Sequence, residues 1–232
     1  MESMEIKDRL KQVKARIAGA AEAVGRDPDS ITLVAVSKTV PAERVAAAIR
    51  AGVTDLGENY VQEAQEKIQG LADQAVSWHF IGHLQSNKAK HAVRLFDLIH
   101  SVDSLKLARA LDKRAEVIGK VQKILIQVNI SGEATKSGIA PNETLALARS
   151  IVQLENLHLC GLMTVPAFFN APDRVRPHFK AMRELRETLT MKFPDLGLSE
   201  LSMGMTGDFE AAIEEGATIV RIGTAIFGHR PR

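Results

Sequence analysis

Val121-Gln122-Lys123-Ile124-Leu125-Ile126-Gln127-Val128-Asn129-Ile130 is the clearest strand in this chain. It is a β-branched, apolar run. A loop containing Ser131 and Gly132 follows, and Pro141 opens a helical stretch that runs to Leu154. Leu157 to Leu162 is then apolar again. Strand, helix and strand, with the strands apolar on both faces, is the repeating unit of a parallel sheet.

The same unit recurs on either side. Upstream, the strands are predicted at Ile31–Val36, Thr54–Leu56, Ser77–Ile81 and Asp97–Val102. Their helices run from Pro41 to Ala51, Tyr60 to Ile68, Leu84 to Leu95, and from an N-cap at Asp103 or Ser104 to Val117. Downstream, Asp173–Met191 is the helix after the sixth strand, and Leu198–Ser202 is the seventh strand with a helix at Asp208–Glu215. Thr218–Ile222 is the eighth, followed by a turn or short helix at Thr224–Gly228. Ahead of all of these, Ile6, Leu10, Val13, Ile17, Ala20 and Ala21 lie on one face of a helix, which Asp27-Pro28-Asp29-Ser30 ends. Eight strand–helix units of about 29 residues fill the length of 232 residues. The prediction is an α/β fold, a single (β/α)8 barrel domain over residues 1–232 with an extra N-terminal helix. A doubly wound sheet needs only about five or six strands, and no linker or shift of composition marks a second domain.

Hydrophobic residues make up 45% and charged residues 25%, which excludes a disordered chain. A formal charge of +2 gives no broad footprint for nucleic acid, and with 4% aromatics there is no base-stacking platform. No apolar run reaches about 18 residues, so no membrane span is expected. Met1 to Leu10 lacks the apolar core of a signal peptide. The single cysteine, Cys160, cannot form an internal disulfide. A cytoplasmic location is expected.

On such a barrel the chemistry sits at the C-terminal ends of the strands. Lys38 ends the run Leu33-Val34-Ala35-Val36-Ser37. An amine held there in partly apolar surroundings favours its neutral form, which attacks an aldehyde to give a Schiff base. The plain alternative is a lysine that ends a strand in solvent. Ser202-Met203-Gly204 and Arg221-Ile222-Gly223-Thr224 close the seventh and eighth strands, where this fold often binds phosphate. Gly204 and Gly223 let an anion approach the backbone, and Ser202 and Thr224 offer hydroxyls. Arg221 inside a strand needs an acceptor, either an acidic neighbour such as Glu58 or a ligand.

Other signals point to structure. His79 and His83 stand about 13 Å apart on an extended strand, too far to share a metal. Gly132-Glu133-Ala134-Thr135-Lys136-Ser137 lacks the Gly-Lys-Ser/Thr ending of a phosphate loop. Cys160 reads as a small buried hydrophobe, and Lys88, Lys90, His91 and Arg94 as a solvated helix face.

Over nearly its whole length the chain resembles the YggS/PROSC family of pyridoxal 5′-phosphate (PLP) homeostasis proteins. The resemblance rests on Val34-Ala35-Val36-Ser37-Lys38-Thr39, Gly57-Glu58-Asn59-Tyr60-Val61-Gln62-Glu63 and Trp78-His79-Phe80-Ile81-Gly82-His83-Leu84-Gln85. It continues through Val128-Asn129-Ile130-Ser131 with Lys136 and Gly138, Gly161-Leu162-Met163-Thr164, Leu201-Ser202-Met203-Gly204-Met205-Thr206 with Asp208, and Arg221 to Gly228. It implies a barrel like the N-terminal domain of bacterial alanine racemase, with Lys38 as the internal aldimine lysine. Ser202, Gly223 and Thr224 would hold the phosphate, Gly204 and Met203 would line that pocket, and Arg221 would face the pyridine nitrogen. Asn59 completes the expected cofactor-binding set. An arginine there keeps that nitrogen unprotonated and weakens the cofactor as an electron sink. Racemization needs an acid/base group on each face of the substrate, and Tyr60 is the only tyrosine. The resemblance therefore implies a carrier that passes PLP on, with apo PLP enzymes as recipients, rather than an enzyme. A minor amino-acid racemase using Lys38 and Tyr60 is the alternative. Without a racemase-type second domain, a monomer is expected.

Overall fold

The computed structural model describes residues 2–133, 135–166 and 172–228. Eight parallel strands close into a barrel in sequence order, with the eighth pairing back on the first. They are β1 (Thr32–Val36), β2 (Asp55–Glu58), β3 (Ser77–Phe80), β4 (Leu98–Val102), β5 (Gln122–Gln127), β6 (Leu157–Met163), β7 (Glu200–Ser202) and β8 (Ile219–Ile222). The helices are α1 (Glu2–Glu22), α2 (Ala42–Arg50), α3 (Val61–Gly70), α4 (Ala89–Leu95), α5 (Leu105–Val117), α6 (Thr144–Ile151), α7 (Pro172–Lys192), α8 (Phe209–Glu214) and α9 (Thr224–Phe227).

Alternation along the strands separates two apolar regions. Leu56, Phe80, Ile99, Ile124 and Ile126 face outward into the layer beneath the helices. Val34, Leu98, Leu125, Cys160, Met163 and Ile219 form a smaller cluster within the barrel. Cys160 is free and buried there, and burial pushes its thiol up to about 11, so it packs as a hydrophobe. The predicted apolar stripe of α1 is buried at every position, and this helix packs on α2, α8 and α9 beside the seam where β8 returns to β1. Ser104 caps α5, its hydroxyl accepting the Leu107 N–H at 3.3 Å.

Element boundaries move by a few residues. β2 extends through Gly57 and Glu58, two poor strand formers. β5 ends at Gln127, although Val128 still bridges to Ile139. The helices predicted from Leu84 and Pro141 begin as 3-10 turns at Ser86–Lys88 and Pro141–Glu143. The register of β5 on β6 slips around Gly161, where a Cβ would stand 2.0 Å from the Glu200 carbonyl oxygen. Only glycine lets β7 approach that closely. Ala134, in the stretch compared with a phosphate loop, lies outside the described residues. Among the described residues no helix is long and apolar enough to cross a membrane, and no cluster of potential metal ligands forms.

Candidate functional site

Lys38 lies just beyond β1, half-buried at the mouth of the barrel. The ladder continues through Ser37, whose N–H donates to the Gly57 carbonyl at 3.0 Å. Thr39 then adopts φ 61°, a left-handed conformation costing a non-glycine residue about 1 kcal/mol or more. Both neighbours of Lys38 are tied to one cluster. The Lys67 amine donates to the Ser37 carbonyl at 2.5 Å, to Glu58 Oε1 at 2.7 Å and to Glu63 Oε1 at 2.6 Å. Ser37 Oγ donates to Glu58 Oε1 at 2.6 Å, and the Thr39 N–H donates to Glu63. Burial raises the Glu58 carboxyl above its usual range, opposed by Lys67 and Ser37. Lys67 escaped the sequence reading, and Glu63 was read only as the end of the motif from Gly57 and not as a site residue. Their i,i+4 spacing on α3 looks like an ordinary solvated helix pair.

On the next strand, Asn59 follows β2, and its Oδ1 is buried without a protein partner. A cavity of about 510 Å³ lined by Asn59, Tyr60, Phe80, His83 and Lys88 adjoins it. On the other side, β8 pairs with β1 through Val34↔Arg221 and Ala35↔Ile222, which brings Gly223 against Val36. Gly204 adopts φ 92°, and a Cβ there would meet Ala212 at 2.6 Å and the Phe209 backbone at 2.9 Å. Its carbonyl accepts the Arg221 N–H at 3.0 Å, and the buried Met203 donates its N–H to the Ile219 carbonyl. Asp208 Oδ1 accepts the Met205 N–H at 2.6 Å and closes the turn after β7. Thr206 and Thr224 bring their hydroxyls within 3.3 Å of each other at the rim. Thr206 belongs to a motif read from the sequence but was not counted among the site residues. All the predicted site residues thus fall at the ends of four adjacent strands, β7, β8, β1 and β2.

Arg221 is buried, and of the two acceptors read from the sequence it does not take Glu58, which pairs with Lys67. Instead its Nη1 donates to Ser202 Oγ at 2.6 Å and its Nη2 to the Thr164 carbonyl at 2.8 Å. Burial pulls the guanidinium down to about 10, and Asp208 opposes this. The Ser202 hydroxyl turns into the barrel, 2.9 Å from His100 Nδ1. His100 Nε2 lies 2.9 Å from His79 Nδ1, and His79 Nε2 lies 3.1 Å from Asp55 Oδ1. His83 lies exposed in the loop after β3, apart from this chain of contacts.

With this closed parallel barrel and its strand-end residues in place, the family described as alanine racemase, N-terminal domain, matches residues 9–231. A pyridoxal phosphate homeostasis protein from Pseudomonas aeruginosa is 49% identical over 227 residues, covering 97% of this chain and 96% of that protein. One from Aquifex aeolicus is 45% identical over 223 residues, covering 96% and 97%. The solved structure of PipY from Synechococcus elongatus PCC7942 with PLP bound is 37% identical, with a TM-score of 0.85, and covers 96% of this chain and 100% of that one. This chain belongs to the pyridoxal phosphate homeostasis protein family.

Proposed function

We propose that this protein binds PLP at the mouth formed by β7, β8, β1 and β2, holds it on Lys38, and supplies it to apo-enzymes in a reducing cytoplasm, acting as a single-domain monomer. The observation that carries this reading is the convergence of an amine, a glycine–hydroxyl cradle and a buried arginine on four neighbouring strand ends. The donor set fits the cofactor. PLP brings an aldehyde that condenses with an amine, with loss of water. Lys38 is that amine, and the turn pinned by Lys67 and Glu63 sets the direction in which it leaves β1.

Gly204, Gly223 and Thr224 hold the phosphate beside Met203, and Thr206 adds a second hydroxyl at the same rim. The orphaned Asn59 Oδ1 is an acceptor suited to a ring hydroxyl. Arg221 faces the ring nitrogen as a donor only, so that nitrogen stays an acceptor. Ser202 serves the site from beneath, through Arg221.

The carrier reading is favoured over racemization because the electron sink is weakened and Tyr60 is 59% exposed. Borohydride reduction of the PLP-loaded protein should fix the cofactor on Lys38, with native mass spectrometry reporting one cofactor per monomer. An adduct on another lysine refutes the assignment. Exchange of an amino acid's α-proton in deuterated water, lost in Lys38→Ala, refutes the pure carrier and supports the racemase.

A further inference from the structure

The geometry points to Asp55, His79, His100 and Ser202 as positioning residues, a one-directional hydrogen-bond relay that crosses the barrel interior and locks the Arg221 guanidinium in place. The inference rests on the reading above only where it concerns the cofactor. The relay itself is a property of the chain.

Its direction follows from the two ends. A guanidinium has donors only, so Arg221 Nη1 must donate to Ser202 Oγ. Burial alone would raise the Asp55 carboxyl, but the hydrogen bonds from His79 and Thr54 outweigh it and hold the group below its usual range. Asp55 is therefore a carboxylate and accepts only. Between these ends lie His79 and His100, on neighbouring strands β3 and β4. His100 is completely buried, and burial, followed by the charges of His79 and Arg221, drives it well below the ordinary histidine range.

A neutral imidazole has one donor and one acceptor nitrogen. With both imidazoles neutral, Ser202 O–H donates to His100 Nδ1, His100 Nε2–H to His79 Nδ1, and His79 Nε2–H to Asp55 Oδ1; a doubly protonated His79 would reverse the line and put the His100 proton on Nδ1. Both histidines are thus Nε2–H tautomers, and no proton along the line lacks an acceptor. Arg221 and Asp55 become the positive and negative ends of one chain of neutral groups. The single Ser202 proton is committed to His100, which separates Ser202 from the phosphate cradle.

The far end is open. Asp55 lines a cavity of about 480 Å³ at the amino-terminal pole, with Lys14 and Asp29. Four hydrogen bonds thus connect that pole with Arg221.

The first test needs no cofactor. In protein labelled with ¹⁵N-histidine, long-range proton–nitrogen correlation at pH 7.5 should show His79 and His100 as neutral Nε2–H tautomers. The second uses D55N, which keeps the shape of a partly exposed side chain, and H100F, which keeps a ring but removes both hydrogen bonds. D55N should mix the His79 tautomers. Both variants should still be fixed to PLP by borohydride at Lys38, yet bind it roughly tenfold more weakly, with a shifted absorbance maximum. If H100F does not fold, D55N decides alone. An Nδ1–H or doubly protonated His100 overturns the relay, as does wild-type affinity and absorbance in D55N. Absence of any Lys38 adduct in the wild-type protein would defeat the PLP reading instead and leave the tautomer test standing.

Discussion

Replacing Lys67 by methionine tests whether the cluster beside Lys38 is one energetic unit. Lys67 is 7% exposed and Glu58 fully buried. The methionine fills the volume of the lysine stem but deletes three charge-assisted hydrogen bonds, to Ser37, Glu58 and Glu63. Glu58 then keeps only the Ser37 hydroxyl. Breaking a buried ion pair on one side costs roughly 3–5 kcal/mol. Protonation of Glu58 sets an independent ceiling. Its ordinary pKa of 4.5 makes neutralization at pH 7 cost roughly 3 kcal/mol, and somewhat less because burial has already raised it. The expected loss at pH 7 is therefore about 3 kcal/mol, a large share of a typical 5–15 kcal/mol stability.

The ceiling also predicts a pH signature, because the cost of protonating Glu58 falls by about 1.4 kcal/mol for each unit of pH lowered. The gap between Lys67→Met and the wild type should shrink by 2 to 3 kcal/mol between pH 7 and pH 5, by roughly that rule. Glu58→Gln should rescue much of the loss, with a coupling of about 2 kcal/mol in the double-mutant cycle. Urea unfolding followed by the fluorescence of Trp78, the only tryptophan and 6% exposed, measures all four proteins. A loss below about 1 kcal/mol, an unchanged gap at pH 5, or additive effects would refute the reasoning.

Two further outcomes follow from the same structure. The native His100 resists protonation while the unfolded chain takes up a proton below pH 6.5, so stability is fully present above that pH and lost below it at about 1.4 kcal/mol per unit. His100→Asn should flatten that slope by one proton in urea titrations from pH 6.5 to 5, and an unchanged slope would assign it elsewhere. Gly204→Ala places a Cβ 2.6 Å from Ala212 on a backbone at φ 92° and should cost roughly 2–4 kcal/mol, read as a lower urea midpoint. A wild-type midpoint would show that the turn after β7 is loose.

Much of the architecture was legible in local patterns. The stripe from Ile6 to Ala21 has helical period, and each strand is an apolar run ended by turn residues, so neither needed a partner to be read. Lys38 and the glycines after β7 and β8 were legible for a related reason, since on a parallel barrel the strand end places the residue. The limits of strand 2 were less so, because Gly57 and Glu58 become strand only once β1 and β3 flank them and Lys67 neutralizes Glu58.

The sequence by itself determined the order of elements, the closure of eight units and the position of Lys38 at a strand end, because these depend on period, turn chemistry and chain direction. Only the tertiary structure decided which side chains meet across the barrel. The strangeness of Arg221 in a strand was visible in one dimension, yet the acceptors read there were an acidic neighbour such as Glu58 or a ligand, and not Ser202. The tilt and register of closed strands turn Ser202, His100, His79 and Asp55 inward along one line and give Glu58 to Lys67. Register is a property of the closed sheet, and no single strand carries it.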